Sequence, residues 1–235
     1  MIKRIQFAGA GAPGAGVDGR PAGWQRRVDA AHDAPDDLRP LRITWCTALA
    51  DVFGEPRHDG LGFEWYADEA HLEQFDTWLA TVGATDGEDR GSSDAVIVAT
   101  ERAMRGDDWL ERRWRHRGLV FKHVAVARRA AGLTPAQFSE AWSSGAGRVQ
   151  RAGDQLPLVI PADVRGCAYV QNHPLPRAEG EWIYDAVNEV SFEDLDGLRR
   201  RVAWFAANVG KGAEPELIAE NRLLATTEVV VLPGR

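Results

Sequence analysis

The strongest constraint on this chain is an order of secondary-structure signals that occurs twice. Ile2–Ala8 alternates as a short strand. A helix opens at Pro21, suited to a first helical turn, and stops before Pro35, whose ring disfavours helix at the preceding residue. Leu41–Ala50 and Leu61–Tyr66 read as strands around a His58-Asp59-Gly60 turn. Asp68 caps a helix carrying Leu72, Phe75, Trp78 and Leu79 at helical spacing, and Asp94–Met104 is a fourth strand. After a charged amphipathic stretch, Asp107–Arg117, the order begins again. Strand Leu119–Ala127 is followed by a helix capped by Thr134 and Pro135, strands Arg165–His173 and Trp182–Phe192, helix Glu193–Val209 and strand Arg222–Leu232. Leu38 to Leu49 lies on Val164 to Leu175 without a gap, and His58 to Leu61 lies on Tyr184 to Val187, both at an offset of 126 residues. A constant offset over two consecutive strands is a repeat signal that few identical residues could supply.

Each βαββαβ unit makes an antiparallel sheet with both helices on one face, so the other face needs a cover. A sister unit in the same chain supplies it, and the two sheets close face to face around a ligand pocket. The reading is therefore an α+β chain of two ferredoxin-like halves, 1–106 and 118–235, joined by a linker helix at 107–117.

Bulk properties narrow the partners. The net charge is -7 and the pI about 5.4, against the basic face that nucleic acid or an anionic membrane requires. No apolar run approaches the roughly 18 residues of a membrane span, and the N-terminus lacks the long apolar core of a signal peptide, so a cytoplasmic protein is expected. Cys46 and Cys167 have no ligand-spaced neighbours and read as buried thiols, and the six histidines form no metal pattern. The glycine-rich loop after the first strand contains GxG spacing, but Pro13 interrupts it and no helix opens directly, so a dinucleotide site is not expected. Nine tryptophans suit either two small cores or the walls of a pocket for a flat apolar molecule.

Residues of the second half resemble a known family. In order these are Arg128-Arg129, Gly132-Leu133-Thr134-Pro135, Phe138 with Trp142, Tyr169-Val170-Gln171-Asn172-His173, Tyr184-Asp185, Glu189 and Phe192. The segment Leu119 to Leu232 resembles an EthD-type domain of the dimeric α+β barrel superfamily, and the first half resembles it more faintly. The resemblance implies a tandem fused barrel that uses no cofactor or metal and acts on small organic molecules or polyketides. The family places a histidine eight residues after the helix aromatic. That slot is Ala146 in the second half and His32 in the first.

The expected function is thus a cofactor-independent lyase or cyclase acting on a small hydrophobic oxygenated molecule. A non-catalytic binding protein and a cofactor-free monooxygenase are the alternatives. His32 is the candidate acid/base, being able to exchange a proton near neutral pH, or else a surface cap of its helix. Glu189 and Tyr169 are candidate partners in catalysis. Glu189 and Asp185 share a strand face by the period of two. Trp45, Asp59, Phe63, Asn172, His173, Asp185 and Trp142 are candidates for substrate contact. Periodicity pairs Tyr169 with Gln171, and Val170 with Asn172, without assigning either face to the cavity. His123 reads as a satisfied core histidine. The expected assembly is a monomer or homodimer.

Overall fold

The structure, a computed structural model, describes residues 1–9, 20–83, 96–114, 118–145, 158–209 and 216–233. The glycine-rich loop at 10–19, Ala146 and the arginines at 115 and 117 lie outside them. The described chain runs β1 (Ile2–Gly9), α1 (Ala22–Asp33), β2 (Arg42–Ala48), α2 (Ala50–Phe53), β3 (His58–Tyr66), α3 (Glu69–Thr81) and β4 (Val96–Arg105). It continues through α4 (Asp107–Arg113), β5 (Val120–Arg129), α5 (Pro135–Ser144), β6 (Ala168–Pro174), β7 (Ala186–Phe192), α6 (Leu195–Asn208) and β8 (Ile218–Leu232).

Side-chain caps start three of the helices where the sequence placed them. Asp68 accepts from the backbone N–H of His71, and Asp194 accepts from that of Gly197. Thr134 and Gln137 form a reciprocal capping box with Pro135 in the first turn. Two local readings change. The segment after β2 turns into the one-turn helix α2 rather than continuing as a strand. His58-Asp59-Gly60 is not a free turn but the start of β3, where the pairing with β1 shifts between Ala8 and Gly9.

All eight strands are antiparallel and close as a barrel in the order β1-β3-β2-β8-β5-β7-β6-β4. Each half thereby contributes an equivalent set of four strands. The last strand of each also pairs with the other half, β4 with β6 and β8 with β2. Equivalence extends to register. Lys3 lies opposite Trp65 and Ala99, and Lys122 opposite Ser191 and Thr226. Ile5 faces Phe63 as Val124 faces Glu189.

Alternation along the strands sorts side chains into two environments. Outward residues of the first half meet α1 and α3 in a core of Trp24, Val28, Ile43, Trp45, Phe75 and Leu79. Trp24 lies so close over β3 that a Cβ on Gly62 would strike its indole, which is why a glycine stands there. Inward residues fill the barrel. Ile5, Phe7, Leu61, Phe63, Val124, Val126, Val187 and Leu224 make its apolar level. The sheets close face to face, but the interior they enclose is not simply apolar.

Candidate functional site: a charged floor and a histidine–tyrosine mouth

At the end where β1 and β5 begin, the inward positions carry charge. Lys3 contacts Glu101 and, at 2.6 Å, Glu189 Oε1. Lys122 Nζ donates to Glu189 Oε2 and to Glu228 Oε1, both at 2.6 Å. Asn172 Nδ2 donates to Glu189 Oε1 at 2.8 Å, and Thr44 Oγ1 donates to Glu228 Oε1 at 2.9 Å. Helix α4 closes this end. Arg113 reaches Glu228 at 3.5 Å, and Trp114 packs edge-on against Trp65. The Arg42 guanidinium lies 4.5 Å from the Trp65 ring and 4.1 Å from the Trp114 ring. Phe63, facing Ile5 as Glu189 faces Val124, presents its ring to both lysine ammoniums, at 5.1 and 4.9 Å. At this register position one half thus offers the lysine pair a carboxylate and the other an aromatic face.

Burial alone would push the Glu189 carboxyl up, but Lys122 and Lys3 outweigh it and hold the group well below the usual range. Burial would likewise lower Lys122, and Glu189 with Glu228 raise it instead. These groups are locked as ions. They specify the barrel floor rather than exchange protons near neutrality.

The opposite end is different. The register shift in β3 turns His58 onto the barrel side, as bulges do where a side chain must be re-aimed. Its ring packs 4.9 Å from Phe7, and its Nε2 is 2.8 Å from the Tyr184 hydroxyl. Tyr184 is the residue 126 positions on, so the pair joins equivalent corners of the two halves. His58 is 5% exposed and Tyr184 1%. Nδ1 of His58 is buried without a side-chain partner, and the Ala8 backbone lies beside the ring. Burial first, then Arg57 and Arg222, lower the His58 pKa from 6.5 to about 4, opposed by the Ala8 backbone and Asp59. Burial likewise raises the Tyr184 hydroxyl. His58 forms part of the wall of an open cavity of about 460 Å³, together with Phe53, Arg57, Arg222 and Leu224. That volume lies in the range of small-molecule sites.

The residues singled out from sequence fall in three places. Glu189, Phe63 and Asn172 lie together inside the barrel, in or beside the charged floor. His32 is exposed on the last turn of α1, outside the barrel, and its carbonyl accepts from Arg39. Trp45 faces the helices, against Trp24 at 4.8 Å, and so does not narrow the interior. Tyr169, His173 and Trp142 are also on the helix-facing side. Gln171 donates to Tyr169, Ser139 pairs with His173, and Trp142 donates to Asn188. Asp185 precedes β7 and pairs with Arg129 rather than joining Glu189. Asp59 is half-buried at the bulge beside His58. His123 accepts from Arg201 through Nδ1, its Nε2 has no partner, and burial lowers it to about 3.

The site that sequence reasoning missed is the His58–Tyr184 pair. The signal was present, since these residues head the second aligned segment, but a His-Asp-Gly string reads as a turn. Among the described residues, no group of three or more His, Cys, Asp or Glu side chains is arranged to hold a metal ion. No described helix is long and apolar enough to cross a membrane.

No family model and no curated protein sequence matches the chain. Solved structures do match it along nearly its whole length. A candidate monooxygenase from Lactobacillus acidophilus NCFM is 9% identical, with 99% of this chain and 96% of that chain covered and a TM-score of 0.42. A second from Fusobacterium nucleatum is 7% identical, with 99% and 94% covered and a TM-score of 0.42. A chlorite dismutase variant from Candidatus Nitrospira defluvii is 10% identical, with 98% and 91% covered and a TM-score of 0.42. Likeness at this level bears on neither reaction nor site. The chain's own topology defines its class, a mixed α+β protein built around a closed eight-stranded antiparallel barrel.

Proposed function

We propose that this protein is a proton-transfer enzyme of the lyase or cyclase type. It acts on a small oxygenated organic molecule, with His58 as acid/base and Tyr184 as the residue that orients it. The observation carrying this reading is the water-shielded His58–Tyr184 contact of 2.8 Å on the wall of a cavity of ligand size. A buried imidazole held by one nitrogen to the Tyr184 hydroxyl has a fixed orientation. Because burial and the neighbouring arginines keep His58 neutral at physiological pH, it starts as the base. It takes a proton from carbon next to a carbonyl and returns it to the departing or rearranging group. The lyase assignment extends the EthD-like resemblance and moves the acid/base role from His32 to His58.

Hydrogen–deuterium exchange tests it. Small aromatic ketones with acidic α-hydrogens are incubated with the protein in D2O and followed by NMR. The expected result is exchange above the buffer rate that falls at least 100-fold in His58→Gln, the lower end of what a positioned base contributes. Equal exchange in both proteins overturns the reading. The filled barrel interior favours a second reading, a binding protein whose ligand stays in the mouth. Ligand retention without exchange is its signature.

A further inference from the structure

We infer that the molecule taken by this mouth is an acid: a compact apolar body carrying a carboxylate, which Arg57 and Arg222 hold while the body lies on Phe53 and Leu224. The inference rests on the proposed site but not on its chemistry. Both arginines line the cavity with His58, and Phe53, Leu49, Leu223 and Leu224 give it an apolar wall.

The arginines are only partly engaged with each other's neighbours. They share one oxygen of a single carboxylate, Glu220 Oε1, which Arg57 Nη1 approaches at 3.7 Å and Arg222 contacts through Nε. The terminal nitrogens of Arg222 take no part in that pair. Guanidiniums lining a cavity that also carries apolar residues are suited to bidentate capture of a carboxylate. The remaining charges at the mouth are of both signs. Arg57 and Arg222 act on both His58 and Tyr184, and Arg128 acts on Tyr184, opposed by Asp59 and Glu220. Glu55 also lines the cavity, as an exposed residue. Three arginines thus stand against three carboxylates, a local balance in a chain whose net charge is -7. Two guanidiniums sharing one carboxylate oxygen leave donors for an anion beside His58.

The test is a matched pair of probes, 2-naphthoate and its neutral isostere 2-naphthamide, titrated by calorimetry into the full-length protein. The acid is expected to bind at least tenfold more tightly than the amide. Arg222→Gln and Arg57→Gln are each expected to lower the acid's affinity about tenfold and leave the amide's unchanged, as loss of a charge-assisted hydrogen bond requires. Both arginines are about half exposed, so neither variant endangers the fold. Equal affinity for the two probes, no saturable binding of the acid, or arginine variants that bind the acid normally overturns the inference. The two proposals fail separately. Acid binding that persists without deuterium exchange removes the catalytic reading alone, and exchange without acid preference removes this one alone.

Discussion

Replacing Glu189 with glutamine keeps the size of the side chain and removes one charge from the barrel floor. The wild-type floor holds four cations, Lys3, Lys122, Arg42 and Arg113, against the three carboxylates of Glu101, Glu189 and Glu228. The variant leaves four against two, and each lysine keeps a single carboxylate. Breaking a buried ion pair by removing one partner costs about 3–5 kcal/mol. For a chain of this size, that lowers the melting temperature by roughly 6–20 °C. Urea unfolding followed by tryptophan fluorescence measures it directly, since Trp65 and Trp114 stand at the floor. A carboxylate whose folded pKa is depressed contributes its stability above the unfolded value near 4.5 and loses it as pH falls. The gap between wild type and variant should therefore narrow below about pH 4.5. The double variant Glu189→Gln, Lys122→Met should cost less than the sum of its singles, because the second change removes an ammonium that the first left short of a partner. A single-variant cost under about 1 kcal/mol, the size of an exposed pair, would mean that solvent screens the floor.

Other expectations follow from the two buried histidines and from the backbone. Burial lowers His58 to about 4 and His123 to about 3, so both fold neutral. Stability is complete above the unfolded value near 6.5 and declines as pH falls toward the folded values. Each histidine accounts for about 2 kcal/mol between pH 7.5 and 5, and urea midpoints at those pH values should shift less in His123→Gln. If His58 is the base, the acid limb of the exchange rate lies near its lowered pKa, about 4, rather than 6.5; a limb at 6.5 in the pH–rate profile would assign the base to another residue. His32→Ala, at an exposed position, should leave exchange and melting temperature unchanged within error. Gly106→Ala should destabilise by at least about 1–3 kcal/mol. Gly106 has φ 86° at the start of α4, and an added Cβ would run into the Cys167 carbonyl oxygen and Ala168. Thermal melting reads the loss.

The strands and helices were largely legible because each level of the sequence agreed. Caps at Asp68 and Thr134 mark helix starts, alternation marks strands, and β2 with β6 keeps the residue offset seen in the sequence. The ion floor was harder to see. Lys3 and Lys122 share strand parity with Ile5 and Val124, but alternation alone does not say which face turns inward. A lysine there contradicts the expectation of an apolar face until the carboxylates that neutralise it are known, and those come from β4, β7 and β8, far away in sequence. Glu189, a candidate for catalysis in the sequence, finds lysine and asparagine partners in the fold. His58 was lost for a local reason: which way a residue at a bulge points depends on a one-residue slip against β1. His32 and Trp45 were placed by analogy of position along a helix or strand, and which sheet face met the helices was undetermined without the pairing.

The crossing of β4 and β8 has a consequence for how the polypeptide can be divided. Each strand finishes the neighbouring half's sheet as well as its own, so a fragment ending before β5 would carry two unpaired rims, along β2 and β4. Such rims invite pairing with any extended chain. Neither fragment is then a self-sufficient module, but the pair should recognise each other, because every rim one exposes is the complement of a rim on its counterpart.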